Sequence, residues 1–320
     1  MLTLPFQSPE KQDQFIEKIL HISRKKAGMK VAQASAGDLD ISYLERTGDN
    51  TLPTVVLIHG FSANKDHWMS FSQMIDKKYR IIVPDLAGHG DSDGDHSTYY
   101  GLVKQAERLK TFLDSINVTQ CHILGNSMGG AISALFYHQH PDMINSIGLM
   151  DTAGIEGETP SEFFEALNLE NPDQGNNLLI PETIQEHKRF MKWVMHKPPF
   201  LPWPFAGIIA RQALERTALN KKVFEDMVKT REQMLVENFE KQLLEVIQEK
   251  KTPTLVMWGE KDNVLDISAA YRIQELAPHA ELIILEDIGH LPMIECPEKS
   301  GQLYSIMSFY LALSLSIFFL

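Results

Sequence analysis

The chain has 320 residues, 43% of them hydrophobic and 22% charged, with a formal net charge of −12. That is globular composition, long enough for one large core or one core with an insertion, which argues against a disordered or fibrous chain. The acidic balance repels phosphate backbones, so no nucleic acid is expected as a partner, and two cysteines, Cys121 and Cys296, are too few for a disulfide framework.

The N-terminal stretch MLTLPFQSPEKQDQFIEKIL lacks a basic region followed by an apolar one. No secretory signal is therefore expected, and a reducing cytoplasm fits best. Phe15, Ile16, Ile19 and Leu20 recur at helical spacing, with Lys11, Lys18, Arg24, Lys25 and Lys26 on other positions. They predict an amphipathic helix within residues 1–30 that docks on the domain or lies on a membrane surface. KVAQASAGDLDISYLERTG then reads as two strands joined by a turn at Gly37-Asp38.

A different pattern follows. TVVLIHG (54–60), YRIIVPD (79–85), CHILGNS (121–127), INSIGLMD (144–151), TPTLVMWG (252–259) and ELIILED (281–287) are short apolar runs. They read as strands of a parallel sheet, buried on both faces. Helical patterns at 100–116, 128–140 and 269–276 separate most of them. Strand–helix alternation predicts a doubly wound α/β fold with eight strands in all, mostly parallel, and helices on both faces. The roughly hundred residues between Asp151 and Thr252 carry no clear buried strand but several helical stretches and the segment HKPPFLPWPF. A structureless loop of that length is improbable, so 153–250 reads as an inserted helical cap, with the core formed by 31–152 and 251–312. From Ser300 to Leu320 no residue is charged. The expectation is a last core-packed helix and an apolar tail over 313–320, with membrane anchoring as the alternative.

The stretch GNSMGG places Ser127 between Gly125 and Gly129, where an apolar strand gives way to a helix. A sharp strand-to-helix turn holds such a serine in a strained conformation with its hydroxyl projecting, and side chains two residues to either side would collide. Gly130 adds room for helix and sheet to approach. The first N–H groups of the helix are unpaired and sit at its positive end, so the Met128 amide is suited to an oxyanion. The Phe61 amide, after the strand ending His59-Gly60, is suited to supply the second donor. A serine needs a base, itself oriented by an acid. His290 follows the last strand and Asp262 the one before it, both at the expected edge of the sheet. Asp151, Asp266 and Asp287 are the rival acids. His59, His67, His89 and His122 read as structural, with His59 holding the oxyanion loop. DLAGHGDSDG lacks the lysine of a phosphate loop. No cluster has metal-ligand spacing, so no metal or other cofactor is expected.

With these residues in place, LIHGF, VPDLAGHGDS, LGNSMGGAIS, LVMWGEKDNVLD and EDIGHLPMIECPE resemble the α/β-hydrolase superfamily over about residues 40–310. Within it, GNSMGGAIS, LMDTAG, VMHKPPFLP and WGEKDNVLD are most similar to bacterial lipases and esterases, and to members of the monoacylglycerol-lipase type. The resemblance implies nucleophile Ser127, acid Asp262, base His290 and oxyanion donors Phe61 and Met128, acting on a lipid ester. Phe200, Trp203 and Phe205 are the expected acyl-binding residues. Two other readings stay open. One is a C–C bond hydrolase of ring-fission dienoic acids, for which Arg189 and Arg211 are the candidate carboxylate partners. The other is a slow-turnover ligand receptor on the same scaffold.

Overall fold

A computed structural model describes residues 8–167, 177–201, 204–236 and 238–306. Helix α1 (Pro9–Lys26) is followed by strands β1 (Lys30–Ser35), β2 (Asp40–Arg46) and β3 (Thr54–Ile58), then short α2 (Met69–Ser72) and β4 (Ile81–Pro84). Next come α3 (Leu102–Ser115), β5 (Cys121–Asn126), α4 (Met128–Gln139) and β6 (Ile144–Met150). Among the described residues, five helices separate β6 from β7: α5 (Glu162–Leu167), α6 (Ile184–Val194), α7 (Phe205–Glu215), α8 (Thr217–Val236) and α9 (Phe239–Lys250). The chain then returns through β7 (Thr254–Gly259), α10 (Ser268–Leu276), β8 (Glu281–Leu285) and α11 (Pro292–Glu295), with helix again over 297–306.

The eight strands form one sheet in the order β1-β2-β4-β3-β5-β6-β7-β8. The pairs β1/β2 and β2/β4 are antiparallel and the rest parallel. Alternation within each strand feeds two cores. Val56 and Ile58 of β3 join Ile123, Val256 and Trp258 with α3 and α4 on one face. Val55 and Leu57 join Leu124, Met257, Trp68, Phe71 and Tyr304 on the other. This is the period-two consequence of the pleat, applied to a sheet covered on both sides. β8 departs from the expectation of burial on both faces, because it is an edge strand: Glu281 is exposed and Leu282 to Ile284 are half-buried. β5 lies between β3 and β6, fully buried, so its carboxyl end opens at the middle of the sheet edge.

Helix α1 starts at Ser8, whose hydroxyl accepts from the Lys11 amide, with Pro9 in the first turn and Arg24 to Lys26 in the last. It docks on the body of the protein. The buried Arg24 guanidinium meets both carboxylate oxygens of Asp66 at 2.7 and 2.6 Å. At its other end Asp13 pairs with Arg211 of α7, and Phe15 packs on Phe205 with ring centroids 5.5 Å apart. Among the described residues no helix is long and apolar enough to cross a membrane. The apolar tail over 313–320 lies outside the described residues.

Several buried histidines are kept neutral by the core around them. Burial pushes His59 and His89 down to about 3 and His122 to about 4. In the unfolded chain the same groups take up protons near 6.5, so between about 6.5 and 4 the unfolded state binds more protons and stability falls as pH falls. The urea midpoint should decline through that window. His122→Asn, which removes one such group beside Ser146, should make the decline shallower; a slope identical to wild type would show that His122 is not one of the groups responsible.

Candidate active site

Ser127 stands between β5 and α4 with φ 55° and ψ −122°, a left-handed-side conformation that a non-glycine residue adopts only when its surroundings impose it. The imposition is visible. The Ser127 amide donates to the carbonyls of Met150, at the end of β6, and Asp151, just after it, at 3.0 and 3.1 Å, while its own carbonyl accepts from Gly130, Ala131 and Ala153. The glycines clear the space this needs. A Cβ on Gly125 would lie 2.1 Å from the Gly129 carbonyl oxygen, and one on Gly129 would lie 2.4 Å from the His59 carbonyl oxygen. At Gly130 it would strike the Thr152 hydroxyl at 2.1 Å.

The loop after β3 runs directly beside the serine: a Cβ on Gly60 would come within 3.1 Å of the Ser127 Cβ. His59 pins this loop. Its Nε2 accepts from the Leu86 amide at 2.9 Å, which leaves the hydrogen on Nδ1 to donate to the Gly60 carbonyl at 2.7 Å. Lys65 anchors the far end. Fully buried, it donates from Nζ to Asp85 at 2.5 Å and to Asp91 at 2.6 Å, and its amide donates to Asp85 at 2.7 Å. Two carboxylates hold the buried ammonium charged, against the cost of burial. Asn220 on α8 donates to the hydroxyl of Ser62, a residue with φ 58°, so the helical insertion also clasps this loop. Among the described residues neither the Phe61 nor the Met128 amide meets a protein acceptor, and both residues line the cavity at Ser127.

His290 follows β8. Its Nδ1 lies 2.7 Å from Asp262 Oδ2, and the other carboxylate oxygen of Asp262 accepts from the amides of Val264 and Leu265 at 2.7 and 3.1 Å. A carboxylate only accepts, so Nδ1 carries the hydrogen and Nε2 keeps its lone pair. The histidine's backbone is held on both sides: its amide donates to Val194 at 2.9 Å, and its carbonyl accepts from the Asn126 side chain at 3.1 Å. Glu295 closes the loop by accepting from the amides of Gly289, Leu291 and Lys197. The Ser127 hydroxyl has no hydrogen-bond partner among the described residues.

Of the rival acids, Asp266 caps the Ser268 amide at 2.9 Å and lines the cavity, while Asp287 lies at the surface, 3.3 Å from Lys197. Asp151 does reach the site. One oxygen of Asp151, one of Asp262 and a ring nitrogen of His290 lie within 4.8 Å of one another.

A cavity of about 430 Å³ opens onto Ser127. Phe163, Leu167, Leu179, Phe224, Met227 and Val264 supply apolar wall, and Glu156, Glu158, Glu240 and Asp266 are its acidic members. Two of the expected acyl-binding residues sit elsewhere. Phe200 is 88% exposed and Phe205 packs on Phe15, so neither lines this cavity; Trp203 lies outside the described residues. The reason is the direction of α7, which leads its aromatic start onto α1. Arg189 borders a separate polar depression, and Arg211 is engaged by Asp13 and Glu215. Sequence reasoning also missed Lys65, Asn126 and Glu295. Asn126 adjoins the serine in GNSMGG, and Glu295 lies in the first turn after Pro292, a position suited to collecting free amides. For Lys65 no local signal exists.

An eight-stranded, mostly parallel sheet with a serine on a strained turn, and a histidine and an aspartate on the same edge, defines the class. Residues 53–297 match the family described as the alpha/beta hydrolase fold, and the chain belongs to that family, in its lipase and esterase group. It is 31% identical to Lipase 1 of Psychrobacter immobilis over 90% of this chain and 87% of that protein. It is 28% identical to monoacylglycerol lipase abhd6-B of Xenopus laevis over 88% and 82%. The crystal structure of a membrane phospholipase A, a bacterial virulence factor, superposes with a TM-score of 0.84 at 32% identity, covering 94% of this chain and 92% of that one.

Clearance at the serine turn predicts opposite outcomes for two glycines. Gly125→Ala should cost about 3 kcal/mol or more, because backbone atoms obstruct the new methyl. Gly207→Ala, in α7 with nothing within 4 Å of the added carbon, should be neutral or stabilising by about 0.5–1 kcal/mol. Urea denaturation of the two variants measures the contrast.

Proposed function

We propose that this carboxylic ester hydrolase cleaves esters of fatty acids through an acyl-enzyme formed on Ser127. The observation that carries the reading is the 2.7 Å bond from His290 to Asp262 on the sheet edge where Ser127 is presented under strain beside an apolar cavity. The Ser127 oxygen attacks the ester carbonyl as His290 Nε2 takes its proton, and the Phe61 and Met128 amides donate to the oxyanion. The tetrahedral adduct collapses, His290 protonates the departing alcohol, and the acyl group stays on Ser127. Water then enters, loses a proton to His290 and attacks the acyl carbonyl. Collapse of the second adduct returns the proton to Ser127 and releases the acid. Asp262 holds the imidazole in the required tautomer and stabilises its charged form.

Acylglycerols are the favoured substrates. The wall from α5, α8 and the 177–180 segment is apolar, and in this reading residues 153–250 act as a cap that supplies the acyl-binding surface. Among the described residues that line the cavity there are four carboxylates and no basic group, which favours a neutral ester over a substrate bearing its own carboxylate. That weighs against the C–C bond hydrolase, since Arg189 and Arg211 are both away from Ser127. The names of the relatives, lipases and monoacylglycerol lipases, support the same substrate class.

Ser127→Ala should lower kcat by roughly 10⁴ or more while leaving the urea midpoint close to wild type. A fluorophosphonate probe should label wild type and not the variant. Across p-nitrophenyl esters, kcat/KM should rise from acetate to medium acyl chains. Near wild-type activity in Ser127→Ala would sink the acyl-enzyme, and a preference for acetate alone would sink the lipid substrate.

A further inference from the structure

We propose that Asp151 is a positioning residue that hydrogen-bonds, as a neutral acid, to Asp262, so that the acid behind His290 is a carboxyl pair with a single charge. The inference rests on the reading of Ser127, Asp262 and His290 as the catalytic triad and extends it by one residue.

Asp151 lies at the carboxyl end of β6 with φ 42° and its residue fully buried. Its amide donates to Met257 at 2.9 Å, and its carbonyl accepts from Ser127 at 3.1 Å, so its backbone belongs to the same strained corner as the serine. Oδ1 accepts from the Gly259 amide at 2.8 Å. Oδ2 is buried and, among the described residues, has no N–H or O–H donor. Among the described residues, the charged and titratable groups that face it are Asp262 after β7, His290 after β8 and Glu295 on α11. No lysine or arginine is among them.

An ionised Asp151 would bury a second negative charge against Asp262 with one of its oxygens unpartnered, an arrangement that costs far more than protonation. Burial first, and then the charge of Asp262, push the Asp151 carboxyl well above the usual carboxylate range. Once protonated, its O–H has an acceptor at hand in Asp262. Asp262 Oδ1 already takes two backbone hydrogens and Oδ2 takes the imidazole hydrogen, so Oδ2 has a further lone pair to offer. The third neighbour fixes the carboxylate plane that holds His290, and by withdrawing charge from Asp262 it keeps the imidazole from binding its proton too firmly. A left-handed backbone is tolerated by asparagine at least as well as by aspartate. Asp151→Asn therefore reproduces both contacts, with an amide oxygen for Gly259 and an amide N–H for Asp262, and it does so without a titratable proton.

The test uses the full chain as wild type, Asp151→Ala and Asp151→Asn. It reads kcat/KM against pH on a p-nitrophenyl ester and the C=O stretch of a protonated carboxyl in the infrared at pH 7. Asp151→Ala should lower kcat by about tenfold or more and move the acid limb of the profile upward. Asp151→Asn should recover most of that loss and restore the acid limb. The infrared band should be present in wild type and missing from Asp151→Asn. An acid limb that drops by about one pH unit in Asp151→Asn would mean that a charge had been removed, which overturns the proposal. So would the absence of the infrared band from wild type, or a pH profile in Asp151→Ala that matches wild type. If Asp151→Ala does not fold, the asparagine profile and the infrared band decide by themselves. The band is independent of turnover, so a failure of the triad reading in Ser127→Ala leaves it standing as a separate result.

Discussion

The rest of the site depends on one backbone constraint: Ser127 is held at positive φ where the central strand β5 meets α4. That conformation is disfavoured for any residue with a side chain, and the folded protein imposes it through two hydrogen bonds to the end of β6 and the residue just after it, and through close contacts that only glycine permits. The consequence is chemical. A serine in a regular helix would lie along the helix surface; at this turn it stands above the sheet, beside the first free amide of α4. Because β5 is flanked by β3 and β6, loops from both neighbours arrive at the same place.

Around that corner, the protein uses buried polar contacts to hold loops that have little apolar surface of their own. Lys65 and Asp85 pin the segment that carries Phe61, and His59 stays neutral so that it can accept from one amide and donate to one carbonyl. Asn126 and Glu295 do the same for the loop of His290. Buried ion pairs of this kind contribute little net stability compared with apolar packing, but breaking one is costly, which makes them suited to fixing a geometry. The proposed Asp151–Asp262 hydrogen bond fits the same pattern, with a proton in place of a counter-ion.

The helices between β6 and β7 divide into two roles. α5 and α8 face the serine and supply Phe163, Phe224 and Met227 to the cavity. α7 faces away and meets α1 through Phe205 and Arg211. An aromatic-proline segment near an apolar cavity invites assignment to the substrate, but aromatic composition says only that a residue favours an apolar neighbour. For Phe205 that neighbour is Phe15.

Local chemistry determined much of this protein without tertiary information. Six Ile, Val and Leu runs marked the parallel strands within a residue or two of where they lie, since a strand buried on both faces has to be apolar throughout. The Gly-x-Ser-x-Gly turn was legible because its steric demand acts over four residues, and His290 and Asp262 because the ends of parallel strands share one sheet edge. What the tertiary structure alone decided is which distant groups meet. The convergence of Asp151 with Asp262, the burial of Lys65 between two aspartates and the choice of Phe163 and Phe224 over Phe200 and Phe205 as cavity wall all depend on the relative placement of segments that no local pattern encodes. Side-chain periodicity reports which face of an element is buried; it carries no information on what the face is buried against.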